Sequence, residues 1–113
     1  MANQAVVASR GPSIVAGLAQ FFPEASPVRI PVRIVGLKQG AEITEETVIE
    51  FGTPDEALFA SSLPLEFEDR LKLENTDGSL SAEAEVVAVQ YQEGRTAIAA
   101  RFVRHIANWI IKR

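Results

Sequence analysis

From Val28 onward the chain alternates apolar and polar residues. In VRIPVRIVGL, Ile30, Val32 and Ile34, with Leu37 beyond them, alternate with Arg29, Pro31, Arg33 and Val35, the period of a strand with one buried face. A turn around Gly40 ends it. EETVIEF predicts a second strand, with Val48 and Glu50 on one face and Thr47, Ile49 and Phe51 on the other; ALFASSLPL predicts a third, stopped by Pro64. DRLKLEN sets Leu71 and Leu73 against Arg70, Lys72 and Glu74, and Asp77-Gly78 supplies a hairpin turn, because glycine accepts a positive φ at little cost. In SAEAEVVAVQYQ, Ala82, Ala84, Val86, Ala88 and Gln90 share one face and Glu83, Glu85, Val87, Val89 and Tyr91 the other. Its first half therefore reads as solvated on one side and its second half as buried on both. QEGR turns the chain into TAIAARFVRHI, with Ile98, Ala100 and Phe102 in one row and Ala97, Ala99, Arg101 and Val103 in the other. ANWIIKR predicts a short C-terminal helix capped by Asn108. Upstream of the strands, Gly11-Pro12 and the Pro23, Ser26, Pro27 cluster bracket a short helix over Ser13 to Phe21, or an arm.

Six short strands separated by turns, with little helix between them, predict a mainly all-β fold, a small antiparallel barrel or sandwich. Closing the sheet removes its exposed edges. The organisation is an N-terminal arm or short helix over residues 1–26 and a β domain over 27–113. A length of 113 residues with 47% hydrophobic content fits one such domain.

Composition narrows the chemistry. With no cysteine the chain has no disulfide, thiolate nucleophile or thiolate metal site, and the expected location is the cytoplasm. The apolar stretch from Ile14 to Phe22 is too short to span a bilayer, so no membrane insertion is expected. Net charge is −4, but residues 1–94 hold a balance of −9, while residues 95–113, with Arg95, Arg101, Arg104, Lys112 and Arg113, hold +5. That basic end is a candidate surface for an acidic partner.

No catalytic residue, resident cofactor or metal site is expected, and the chain reads as a non-enzyme. The single histidine, His105, cannot build a multi-histidine metal site, and no GxSxG, GxxxxGK[ST] or GxGxxG occurs. Glu42, Glu45, Glu46, Glu50, Glu83 and Glu85 read as solvated charges. Nucleic acid is not an expected partner either. The body is acidic and aromatics such as Tyr91 and Trp109 are too few for a base-stacking platform.

From Pro27 to Trp109 the order of segments, SPVRIPVRIVG, EETVIEFGTPDEALFASSLPL, DRLKLENTDGSLSAEAEVVAVQY and GRTAIAARF, resembles the PilZ domain family. The resemblance implies a six-stranded antiparallel barrel with a short C-terminal helix and a role in bacterial cyclic di-GMP signalling. It also implies two ligand motifs, an RxxxR and a [D/N]xSxxG turn. Arginine forks pair with phosphate oxygens and stack on guanine, and the closing glycine lets the chain approach the ligand. Arg29 to Arg33 is literally RxxxR; with the pair placed before the first strand, Arg29 becomes the second arginine and Ala25 stands where the first should be. In the turn, Phe51 stands at the Asp/Asn position, Thr53 at the serine and Glu56 at the glycine.

Two functions follow from the resemblance. One is a regulatory or adaptor module with an eroded nucleotide site, working through protein contacts at Arg101, Arg104, Trp109 and Lys112 with the apolar Ile110 and Ile111; Trp109 reads equally as a plug in the barrel end. The other is a working cyclic di-GMP receptor that uses Arg29, Arg33 and Thr53. The amphipathic tail HIANWIIKR could also pair two copies into a homodimer.

Overall fold

A computed structural model describes residues 13–106 and 108–112. Six strands, β1 (Ser26–Lys38), β2 (Ala41–Gly52), β3 (Glu56–Ser61), β4 (Arg70–Glu74), β5 (Ser81–Gln92) and β6 (Arg95–Phe102), form a closed barrel in the order β1-β2-β3-β6-β5-β4. Every neighbouring pair is antiparallel. Two connections are two-residue hairpins with positive φ at both central residues, 53° and 80° at Gln39-Gly40 and 50° and 82° at Glu93-Gly94. That geometry matches the twist of the flanking strands. The predicted hairpin at Asp77-Gly78 is present, but its loop runs from Asn75 to Leu80. There the Asn75 side-chain oxygen accepts from Leu80 N at 2.9 Å and Asp77 accepts from Ser79 N at 2.9 Å.

Inward rows fill the barrel with Val32, Ile34, Ile49, Phe59, Leu71, Leu73, Ala82, Ala84, Val86, Ile98 and Ala100. A second apolar layer lies outside. Helix α1 (Ile14–Ala19), capped by Ser13 Oγ accepting from Ala16 N at 3.0 Å, lays Val15 and Leu18 over Leu58, Ala60, Ala97 and Ala99. The small side chains of Ala60, Ala97 and Ala99 let the helix approach closely, and partly buried Phe51, Val87 and Ala88 pack against the same layer. This layer explains why β3 is buried at every residue and the middle of β6 on both faces.

Several expectations are corrected. A bulge between Ile49 and Phe51 keeps Ile49 inside and turns Phe51 outward to the helix layer, so the two do not share a face. Another between Val86 and Ala88 does the same on β5, sending Ala88 outward and Val89 toward the barrel core. Leu37, placed with the apolar row, is 68% exposed, because Gly36 takes the inward position. The third strand ends at Ser61, before Pro64. No C-terminal helix forms among the described residues after Phe102, where Trp109 is anchored in the barrel mouth and holds the chain in turns across it. The helix that does form precedes the barrel. Residues 1–12 of the predicted arm lie outside the described residues.

Glu45 on β2 pins the end of β3. It accepts from Ser61 Oγ at 2.6 Å, Ser62 Oγ at 2.6 Å and Ser62 N at 3.1 Å. Burial alone would push this carboxyl up, but the hydrogen bonds from Ser61, Ser62 and the Leu63 backbone outweigh it and hold the group below its ordinary value of 4.5. A depressed folded-state pKa adds stability above the unfolded value, and that stability is lost as pH falls through the folded value. Glu45→Gln is therefore expected to lower the urea midpoint at pH 7, with the gap to the parent closing by pH 3. A gap that stays constant with pH would show that the charge is not what holds this corner.

Candidate functional site

The turn from Gly52 to Glu56 lies at one mouth of the barrel, where β2 ends and β3 begins. Thr53 N donates to Glu56 O at 2.9 Å, and the Thr53 hydroxyl oxygen accepts from Asp55 N at 3.1 Å and Glu56 N at 2.8 Å. That hydroxyl in turn donates to Glu56 Oε1. Glu56 faces Arg101 across the β3–β6 ladder, and its Oε2 accepts from Arg101 Nε at 2.9 Å and Nη2 at 2.7 Å. Two backbone N–H groups, a hydroxyl and a guanidinium are the donor set that would bind a phosphate. Here the chain's own Thr53 and Glu56 occupy the two N–H groups, the hydroxyl and the Nε and Nη2 edge of the guanidinium, while the Arg101 side chain stays 55% exposed.

Trp109 closes the same mouth. It is 2% exposed, its Nε1 donates to Thr53 O at 2.7 Å, and its ring meets Phe102 edge-on with centroids 4.9 Å apart. Glycine is required opposite it, since a Cβ on Gly52 would stand 2.8 Å from the indole Cζ2. Of the two readings of Trp109, partner contact or plug in the barrel end, the burial fits the plug, and the exposed apolar residue of the tail is Ile110 at 64%.

The structure does not gather the three residues assigned to a nucleotide. Thr53 is buried in its own turn at 2% exposure, whereas Arg29 and Arg33 stand exposed on the outside of β1. Ser26 pairs with Gly52 and Arg33 with Glu46, which places Arg33 roughly 20 Å along the strand from the turn at about 3.3 Å per residue. Arg33 Nη2 lies 4.0 Å from Glu46, and Glu74 is its register partner on the other side. A recess of about 320 Å³ there is lined by Arg33, Glu46 and Glu74 together, two carboxylates to one guanidinium.

No family model, curated protein or solved structure matches this chain.

On the basic end, Arg101 is committed to Glu56 and Arg104 Nη2 sits 3.8 Å from Glu83, while His105 and Lys112 are exposed. Arg104 also borders an open groove of about 650 Å³ with Leu37, Arg70, Lys72, Glu42 and Glu83, of mixed charge. Among the described residues no cluster of His, Asp and Glu could hold a metal ion, and no helix is long and apolar enough to cross a membrane. The pairing of Glu56 with Arg101 was not readable in advance. The two are 45 residues apart, and only the β3–β6 register brings them together.

Proposed function

We propose that this chain is a PilZ-like regulatory or adaptor module of bacterial cyclic di-GMP signalling, working in the cytoplasm through protein contacts, with an eroded nucleotide site. The observation that carries the reading is the Thr53, Glu56 and Arg101 network. It puts a carboxylate, already neutralised by the chain's own arginine, at the position the resemblance assigns to the ligand-side glycine. A phosphate entering there would have to displace Glu56 from Arg101, or sit beside Asp55 and Glu56 at a Coulomb cost of about 1 kcal/mol per close pair in water and more where water is excluded. The separation of Arg33 from Thr53 supports the same reading, and the closed six-stranded barrel agrees with the fold that the resemblance implies.

Calorimetric titration with cyclic di-GMP tests it. No heat is expected up to about 100 μM ligand, a bound of about −5.5 kcal/mol on affinity. Micromolar binding that disappears in Arg29→Ala and Arg33→Ala would overturn the eroded site and establish the receptor reading instead.

A further inference from the structure

Helix α1 is weakly built for the work it does. It has six residues, no acidic side chain in its first turn and no basic one in its last. Isolated helices of this length are unstable in water, so α1 persists through tertiary contacts: Val15 and Leu18 are buried, Ile14, Ala19 and the following Phe22 are partly so, and Ser13 Oγ donates to Glu50 Oε1 at 3.0 Å. Gly17 sits mid-helix although an added Cβ would meet nothing within 4 Å, so packing does not demand glycine there.

The seat beneath α1 is well built by comparison. Leu58, Ala60, Ala97 and Ala99 are almost completely buried, and they belong to the paired strands β3 and β6, whose ladders do not involve the helix. Gln90, opposite Ala97 in register, has a buried Oε1 that accepts no hydrogen bond. The connection from Gln20 to Ala25 precedes the first barrel strand, so α1 can leave without breaking a strand pair. Leaving would bare an apolar stripe, the kind of surface that marks a protein-binding site.

We propose that the α1 seat is a helix-binding site, occupied in cis by α1 and taken over by a short amphipathic helix of a partner protein. The partner helix carries two aliphatic residues three apart, as Val15 and Leu18 are, because that spacing is what the alanine-lined seat already accepts. A donor side chain on it would satisfy Gln90 Oε1. The proposal shares with the proposed function only the premise of action through protein contacts. Its test reads different residues from the nucleotide titration, so either can fail alone.

The chain has no cysteine, so Ala99→Cys introduces a single thiol under α1 and Ala100→Cys a single thiol inside the barrel. The Ala99→Cys thiol is expected to react with a thiol reagent at least about ten-fold faster than the Ala100→Cys thiol, since local opening needs less than global unfolding. Adding Gly17→Ala should slow the first about five-fold and leave the second alone, from the difference in helix propensity. Equal rates at the two sites, or equal slowing, would overturn the detachable helix. In a Leu18→Asp background, where the seat is vacated, a synthetic peptide of residues 13–25 at millimolar concentration should restore protection of the Ala99→Cys thiol at least about two-fold, and its Val15→Asp version should not. Should Leu18→Asp also expose the Ala100→Cys thiol, Val15→Ala replaces it as the background. No protection by the peptide overturns helix binding. Protection that rises with protein concentration alone would assign the seat to a second copy's α1 and overturn the partner helix.

Discussion

Replacing Trp109 by alanine is expected to cost about 3 to 5 kcal/mol, the range for removing a buried aromatic side chain, and to lower the melting temperature by on the order of 15 °C. Three separate losses add up there. The ring leaves a cavity at the mouth, the edge-on contact with Phe102 disappears at about 0.5 to 1.5 kcal/mol, and Thr53 O loses its donor at about 1 kcal/mol. Trp109→Phe keeps most of the ring volume and loses the donor, so it should cost about 1 to 2 kcal/mol. Gly52→Ala attacks the same contact from the other side by placing a methyl 2.8 Å from the indole. Because Trp109 is the only tryptophan, the fluorescence of folded Gly52→Ala should shift to the red as the ring is pushed toward water. Denaturant melts of the three variants check the order. A loss below about 1 kcal/mol for Trp109→Ala would mean that the tail does not seal the barrel in solution.

Arg101→Ala is the second large effect. Removing one partner of a buried ion pair costs about 3 to 5 kcal/mol because the other charge is left uncompensated. The Arg101 side chain is 55% exposed while that of Glu56 is 10% exposed, so water can reach part of the site. The expected loss is therefore lower, about 2 to 3 kcal/mol. Arg101→Ala with Glu56→Ala should be more stable than Arg101→Ala alone, since the double variant buries no orphan carboxylate. A double-mutant cycle from urea melts measures the coupling. Additive losses would show that the pair is a surface contact, and would remove the main argument that the turn is closed to anions.

Much of the fold was legible because strand periodicity is local. The alternation of Leu71 and Leu73, of Ala82 and Ala84, and of Ile98 and Ala100 needs no tertiary information to place those side chains on one face. Gly40 and Gly94 mark turns for an equally local reason, their positive φ. The failures lie where tertiary packing acts. Bulges at Glu50 and Val87 reversed the facing of Phe51, Ala88 and Val89, and no local residue type announces them. The predicted C-terminal helix has a sound local pattern in ANWIIKR, but burying the Trp109 ring in the barrel outweighs the propensity of so short a segment.

The candidate site divides along the same line. Residue types at Asp55 and Glu56 were enough to predict a negatively charged turn, because two neighbouring carboxylates carry that charge in any fold. They could not say what Glu56 binds. That depended on a ladder register that sets Arg101 beside it, and on a tail that returns to place Trp109 over Thr53. By itself, the sequence determined strands, turns and the sign of the charge in the turn, since each rests on a few neighbouring residues. Tertiary structure alone decided which charges are paired and which apolar residues are hidden, because barrel closure joins positions that the chain holds 45 and 56 residues apart.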